Sequence, residues 1–140
     1  MAVDIYINFN GNCREAVDFY AKVFETKEPQ IMRFGDAPPN PEYPLPEKAK
    51  ELVMHTQLNI NGSNVMFSDV FPGSPYVAGN NISLTVVSKD MDEIRSLFNK
   101  LKDGGTVGMD LQETFWSKCY GSLTDKFGTI WQLSYDNGEI

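Results

Sequence analysis

Residues 3–25 of this chain have the sequence VDIYINFNGNCREAVDFYAKVFE. At the start of this stretch, Ile5, Ile7 and Phe9 alternate with polar side chains, which is the two-residue period of a strand with one buried face. Apolar side chains then recur every three or four positions, as they do in an amphipathic helix. The stretch therefore predicts a strand and a helix that covers one face of a sheet.

Three further strands are predicted in the first half of the chain. A short strand at 30–34 leads into 35–46, where five prolines and the lack of any period indicate a loop. Two longer strands at 51–60 and 64–69 flank Asn61-Gly62, the strongest hairpin signal in the sequence. The first half thus has the order β, α, β, β, β.

The second half repeats this order after a loop at 70–79. Its elements are predicted as a strand through Ile82, Leu84 and Val86, a helix over 91–101 that stops before Gly104-Gly105, and strands at 107–111, 115–123 and 129–135. A repeated supersecondary order indicates two related modules that close a shared core. We predict one α+β domain over 1–140, with module one at about 1–70 and module two at about 80–137.

Both predicted helices begin with the same pair of capping residues. Asn12 with Glu15, and Asp90 with Glu93, have the spacing of an N-cap residue and its capping-box partner. Each helix needs a sheet face to cover. We therefore expect the apolar strand faces to lie under the helices and the opposite faces to line a cleft.

The charge of the chain restricts its partners. The formal net charge is −7 and the isoelectric point is near 4.6, which opposes binding to nucleic acid or to an anionic membrane. No apolar run approaches the roughly 20 residues of a membrane span, and residues 1–10 lack a signal-peptide pattern. We expect a cytoplasmic protein with no nucleic-acid or membrane partner.

Cys13 and Cys119 lie far apart and match no metal-binding or redox spacing, so both are expected to be free thiols. Cys13 falls at a helix N-terminus, where the pKa of a thiol is lowered, which leaves a reactive thiol as the alternative to a core residue.

The chain resembles the vicinal oxygen chelate superfamily of glyoxalases, bleomycin-resistance proteins and dioxygenases, in its PhnB-like branch. The stretches that carry the resemblance are YINFNGNCREA at 6–16, His55 before Leu58 and Ile60, Ser68-Asp69, Phe115-Trp116, LTDKFG at 123–128, and Trp131. The resemblance implies two βαβββ modules whose curved mixed sheets form a cleft, with the helices on the outer faces. It also implies a homodimer, and in the enzymes one divalent metal that polarises two neighbouring substrate oxygens.

In this family the metal is held by His, Gln or Glu on the first and last strands of each module. Face parity places the four corresponding positions at Tyr6, Ser68, Asn81 and Gln132. Neutral hydroxyls and amides are weak ligands, whereas a catalytic metal needs about three good ones. We therefore expect no metal and no other cofactor.

His55 is the only histidine in the sequence, and we place it on the cleft side of its strand. It is a candidate general base, because imidazole titrates near neutral pH, or a hydrogen-bonded structural residue. With Asp69 and Gln132 it could hold a metal loosely. Glu113, at a strand end, is a second candidate base or an exposed turn residue.

The predicted cleft has a polar, uncharged lining, which is suited to orienting a small polar ligand by hydrogen bonds. The residues assigned to this lining are Tyr6, Asn8, Gln57, Ser68, Asn81, Ser83 and Gln132. Phe115 and Trp116 are candidates for an aromatic wall, with a place in the core as the alternative. Trp131 and Leu133 are assigned to the core.

Three classes of function remain open. The missing metal ligands favour a small-molecule binder that acts without metal. The alternative is an isomerase, lyase or transferase that uses His55 or Glu113 as general base, with a divalent metal that is weakly held or absent. A purely structural module with the proline-rich loop as its contact surface is the third. Methyl transfer is not favoured, because Gly104-Gly105 follows a helix instead of opening one, as a nucleotide-binding loop does.

Overall fold

The computed structural model describes residues 1–136. The chain forms two compact units, unit 1 over Met1–Val77 and unit 2 over Ala78–Ile140. Each unit carries a four-stranded mixed sheet and one helix of 11 residues, in the order β, α, β, β, β. This confirms the α+β class and the repeated βαβββ order. That the two units form one domain stays a prediction, and position 137 lies outside the described residues.

Unit 1 has the strand order β1-β4-β3-β2, in which β1 and β4 are parallel and the other pairs are antiparallel. Its elements are β1 (Ile5–Phe9), α1 (Cys13–Val23), β2 (Met32–Arg33), β3 (Val53–Ile60) and β4 (Ser63–Asp69). Two short 3₁₀ turns lie at the two ends of the predicted proline-rich loop, at Phe34–Asp36 and directly after it at Glu47–Ala49.

The core of unit 1 lies between α1 and the sheet, as the alternation of β1 predicts. Phe9 and Tyr20 both stack on Phe67, with ring centroids 6.3 and 5.8 Å apart. Ile5 and Ile7 are half-buried on the same side of β1 as Phe9. Tyr6 and Asn8, on the other side, are exposed, so β1 buries one face only.

The N-terminus of α1 differs from the prediction. Asn12 occupies the N-cap position, but its side chain makes no capping hydrogen bond. The acceptor is Asp69, far away in sequence, whose Oδ1 accepts from the backbone N–H groups of Gly11 and Cys13 at 2.9 and 3.0 Å. Asp69 Oδ2 accepts from the N–H of Val53 at 3.0 Å. One buried carboxylate thus joins the end of β4 to the start of α1 and the start of β3.

The predicted hairpin is confirmed. Asn61 and Gly62 have positive φ angles of 48° and 91°, as a two-residue type I′ turn requires, and Ile60 pairs with Ser63 across it. Glycine and asparagine tolerate this left-handed conformation better than other residues.

Unit 2 repeats the topology with the order β5-β8-β7-β6. Its elements are β5 (Leu84–Ser88), α2 (Met91–Leu101), β6 (Thr106–Gln112), β7 (Tyr120–Thr124) and β8 (Ile130–Tyr135). Here the predicted N-cap is confirmed, because the Asp90 side chain accepts from the N–H groups of Asp92 and Glu93. The Asp90 N–H donates to the Ser88 hydroxyl at 3.0 Å, and that hydroxyl donates to the Glu93 carboxylate. The helix ends before Gly104, whose φ of 73° is favourable for glycine.

Two strand predictions in unit 2 are wrong. The strand predicted at 115–123 begins only at Tyr120, and before it the Ser117 hydroxyl donates to the carbonyl of Tyr135 at 2.7 Å, where a continuing strand would use a backbone N–H. Ile82, predicted to lie under the helix, precedes β5 and is 75% exposed. Apolar residues alternate from Ile82 to Val86, but alternation alone does not fix where pairing starts.

Trp131 and Leu133 lie in the core of unit 2, as predicted. The indole N–H of Trp131 donates to Asp125 Oδ2 at 2.9 Å. Asp125 Oδ1 accepts from the N–H groups of Phe127 and Thr129, which holds the predicted turn between β7 and β8. The buried carboxylate therefore fixes both the turn and the tryptophan.

Cys13 is a core residue and not a reactive thiol. Its side chain is fully buried at the start of α1. Burial, with a smaller contribution from the negative charge of Asp69, raises the pKa of the Cys13 thiol to about 12. The alternative of a thiol activated by the helix N-terminus is therefore wrong, because desolvation of the thiolate outweighs the helix dipole.

Among the described residues, no helix has the length and apolar character that crossing a membrane would require.

Replacing Asp69 by alanine is expected to destabilise the protein by about 3 kcal/mol or more, because two buried N–H donors and the Gly11 N–H lose a charged acceptor. Urea unfolding followed by circular dichroism measures the change. Asp103→Ala, at an exposed position after α2, is the matched control and should change stability by less than about 0.5 kcal/mol. A loss below about 1 kcal/mol for Asp69→Ala would contradict the structural role.

The raised pKa of Cys13 predicts a specific loss of stability in alkali. The unfolded chain releases the thiol proton from about pH 9, whereas the native thiol retains it up to about pH 12. The wild type should therefore lose on the order of 2 kcal/mol more than Cys13→Ala between pH 9 and 11. If urea unfolding shows that the free energies of unfolding of the two proteins fall by the same amount between pH 9 and 11, the assignment is wrong.

Candidate functional site

The outward face of each sheet, defined as the face opposite its helix, carries most of the predicted site residues. In unit 1, pairing of β1 with β4 places Tyr6 beside Met66 and Asn8 beside Ser68. Gln57 lies on the other side of Met66, and His55, two residues before Gln57 on β3, lies on the same face of the strand. The structure therefore brings Tyr6, Asn8, His55, Gln57 and Ser68 together on one face.

These side chains form two contacts. Tyr6 Oη lies 3.4 Å from His55 Nδ1, a long hydrogen bond, and the two rings are 5.8 Å apart between centroids. The Ser68 hydroxyl donates to Asn8 Oδ1 at 3.0 Å. His55 is half-buried, so its imidazole is oriented by Tyr6 and still accessible.

The outward face of unit 2 carries a chain of hydrogen bonds. Tyr120 Oη donates to Gln132 Oε1 at 2.6 Å, and Gln132 Nε2 donates to Ser83 Oγ at 2.7 Å. The two bonds engage both ends of the Gln132 amide. Gln132 is therefore held in one orientation on β8.

An exposed aromatic pair lies next to this chain. Phe115 and Trp116 are in edge-to-face contact at 4.8 Å, and Trp116 contacts the ring of Tyr120 at 5.2 Å. Phe115 is 97% exposed and Trp116 is 43% exposed, so the alternative of a place in the core is wrong for both. Both residues lie in the loop between β6 and β7.

Tyr120 was not identified from the sequence. The turn at 125–128 sets the register of β7 against β8, which pairs Tyr120 with Ser134 and brings its hydroxyl diagonally to Gln132. The register set by this turn was the one signal in the sequence that could have identified Tyr120. Using it required the correct first residue of β7, which the prediction from sequence misplaced.

Two predicted residues lie away from these contacts. Asn81 is exposed and precedes β5, so Thr85 and not Asn81 is the residue that pairs with Gln132. Glu113 is exposed directly after β6, at a strand end as predicted. Neither has the partially buried setting of His55.

The residues at the metal-binding positions of the resembled superfamily do not fit a divalent metal. The register pairs Tyr6 with Met66 on the first and last strands of unit 1 in sequence order. It pairs Thr85 with Gln132 on the first and last strands of unit 2. Met66 thus takes the position predicted for Ser68. A phenol, a thioether, a hydroxyl and an amide are poor ligands for zinc, nickel or iron.

The looser metal site considered from the sequence is also unsupported. Asp69 lies on the helix side of β4, opposite to the face of His55, and both its oxygens accept backbone hydrogen bonds. Within residues 1–136, no three His, Cys, Asp or Glu side chains are grouped as metal ligands would be.

Comparison with known proteins identifies relatives over almost the whole chain. A family model described as 3-demethylubiquinone-9 3-methyltransferase matches residues 2–134. Protein YjdN of Escherichia coli K12 is 29% identical over 143 residues, which cover 96% of this chain and 95% of YjdN.

Solved structures agree with this assignment. Protein PA1353 from Pseudomonas aeruginosa is 33% identical, with a TM-score of 0.85 over 97% of this chain and 98% of its own. A PhnB protein from Bacillus cereus is 25% identical, with a TM-score of 0.75 over 97% and 100% of the two chains. A glyoxylase/bleomycin resistance protein/dioxygenase domain from Frankia, 11% identical over 96% of both chains, shares the fold with a TM-score of 0.64.

Together with the two βαβββ units, these matches show that the chain belongs to the 3-demethylubiquinone-9 3-methyltransferase family and shares the fold of a glyoxylase/bleomycin resistance protein/dioxygenase domain.

Proposed function

We propose that this protein binds a small, polar, uncharged molecule without a metal, and that the outward face of unit 2 supplies the main contacts. The observation that carries the proposal is the hydrogen-bonded chain Tyr120, Gln132 and Ser83 next to the exposed Trp116. Small-molecule sites combine a few fixed polar groups with aromatic or apolar contact area, which is the combination present here.

The fixed amide of Gln132 determines what this face can recognise. Its Oε1 accepts from Tyr120 and keeps a second lone pair, and its Nε2 keeps one N–H that Ser83 does not use. A ligand with an adjacent donor and acceptor pairs with both groups. A flat part of the same ligand packs on Trp116 and Phe115.

The neutral lining favours an uncharged ligand. In unit 1 the lining consists of uncharged side chains, those of Tyr6, Asn8, Gln57 and Ser68. The hydrogen-bonded residues of unit 2 are also uncharged. A charged ligand would lose hydration on these faces without an opposite charge to compensate.

The description of the family names a methyltransferase, but the residues of this chain do not support methyl transfer. A nucleotide-like cofactor is commonly held by a glycine-rich turn between a strand and a helix. The connection from β1 to α1 has Gly11 as its single glycine, and the connection from β5 to α2 has none.

We also propose a cytoplasmic homodimer. The buried, unpaired Cys13 and Cys119 suit a reducing compartment. Several large apolar side chains of unit 2 are exposed, among them Ile82, Val87 and Phe115, and such residues are candidates for a subunit contact.

Native mass spectrometry of freshly purified protein tests the binding proposal and the dimer together. The wild type should retain an organic adduct, and Gln132→Leu should lose it, because leucine keeps the volume but cannot form either hydrogen bond. Ser134→Ala, on the same strand face, is the matched control and should keep the adduct. An adduct retained by Gln132→Leu would overturn the assignment, and a monomeric mass would overturn the dimer.

A second candidate function is an enzyme that removes a proton with His55. The contact between Tyr6 Oη and His55 Nδ1 favours it, because catalytic imidazoles are oriented by a second group that leaves the other nitrogen free. Glu113 is the weaker candidate base, since it is exposed at the end of β6.

Deuterium exchange at the carbon next to the carbonyl of hydroxyacetone, followed by NMR in D₂O, tests the base. In this reaction His55 accepts the carbon-bound proton, and the enolate takes a deuteron back from solvent-exchanged imidazole. His55→Gln should lower the exchange rate about 100-fold or more, whereas Glu113→Gln should not change it. Catalysis that survives in His55→Gln and is lost in Glu113→Gln would assign the base to Glu113.

A further inference from the structure

A groove of about 980 Å³ lies along one edge of the unit 1 sheet, outside the unit 2 contacts of the proposed function. One wall is the chain from Thr26 to Met32, which links α1 to β2. The other wall is β3, from His55 to Asn59, with Asn64 of β4 beside it.

The groove exists because β2 is short. β2 pairs with β3 only at Met32 with His55 and at Arg33 with Val53. No strand of the described chain pairs with this edge of β3 beyond His55. The remainder of β3 therefore has an open edge.

The hairpin register determines which backbone groups point into the groove. In a two-residue hairpin the flanking residues form a hydrogen-bonded pair, here Ile60 with Ser63, and hydrogen-bonded pairs then alternate along the ladder. Leu58 consequently bonds to β4. The N–H and C=O groups of Gln57 and Asn59 point the opposite way, into the groove.

In the described chain, no strand ladder joins the outer wall to these groups. The Thr56 hydroxyl donates to the carbonyl of Gln30 at 2.9 Å, so the wall is attached to β3 by a side chain and not by a strand ladder. The Asp36 carboxylate at the groove is already paired with Arg33 at 2.8 Å. Arg33 holds the pKa of this carboxyl below its usual range.

We propose that this groove binds an extended peptide segment of a partner protein, which adds a strand to the open edge of β3. Gln57 and Asn59 are two residues apart, about 6.6 Å along the strand, which is the repeat of main-chain donors and acceptors on one side of an extended peptide. If two copies paired through their β3 edges, the 26–32 segment of each copy would lie between the two edges. The occupant is therefore a free segment and not a second β3 strand. Lys27 and Glu28 on the wall offer both signs of charge to its side chains.

Selection of phage-displayed random peptides on the full-length protein, followed by fluorescence-polarisation titration of the enriched peptides, tests the proposal. Asn59→Pro removes the N–H that would bond the peptide, and it leaves the β4 ladder intact because residue 59 is not in a hydrogen-bonded pair. Asn59→Ala keeps that N–H and is the matched control, since both variants lose the side-chain bond to Gly62. Asn59→Pro should weaken peptide binding about tenfold or more, and Asn59→Ala should leave it almost unchanged.

Two outcomes would overturn the proposal. One is that no peptide is enriched, and the other is that enriched peptides bind Asn59→Pro and the wild type equally. If Asn59→Pro does not fold, as judged by its amide NMR spectrum, an enriched peptide methylated at alternate backbone nitrogens replaces it. Its affinity for the wild type should then fall about tenfold, and an unchanged affinity would refute strand addition.

Discussion

The buried carboxylate of Asp69 is the interaction on which unit 1 depends. It accepts backbone N–H groups from the loop before α1, from the first residue of α1 and from the first residue of β3. These contacts fix where the helix starts over the sheet. Because the helix then covers one face, the polar side chains of β1 and β3 are left on the other.

Unit 2 meets the same requirements with two carboxylates. Asp90 caps α2 locally, and Asp125 holds both the β7–β8 turn and the indole of Trp131. In both units these acids therefore serve the backbone and the core. The outward faces keep phenol, hydroxyl and amide groups, which explains why they are suited to hydrogen bonding and not to metal binding.

The sequence predicted the features that depend on local pattern. The alternation in β1, the positive φ angles at Asn61-Gly62 and the Asp90 cap are all encoded within a few residues. The role of Asp69 was missed because its partners are 16 to 58 residues away, and no local rule selects it over Asn12. The start of β7 was misplaced for the same reason, because Ser117 bonds to Tyr135 across the sheet. Tyr120 and the β3 groove follow from register and from the length of β2, which a single sequence does not specify.

The two units share a backbone but not a surface chemistry. At matching register positions, unit 1 presents Gln57, Met66 and Tyr6, whereas unit 2 presents Ser122, Gln132 and Thr85. None of these six side chains belongs to the hydrophobic core of its own unit, so substituting them leaves folding largely unaffected. Substitutions on the outward face of one unit can therefore change its hydrogen-bonding groups while the cores of both units stay as they are.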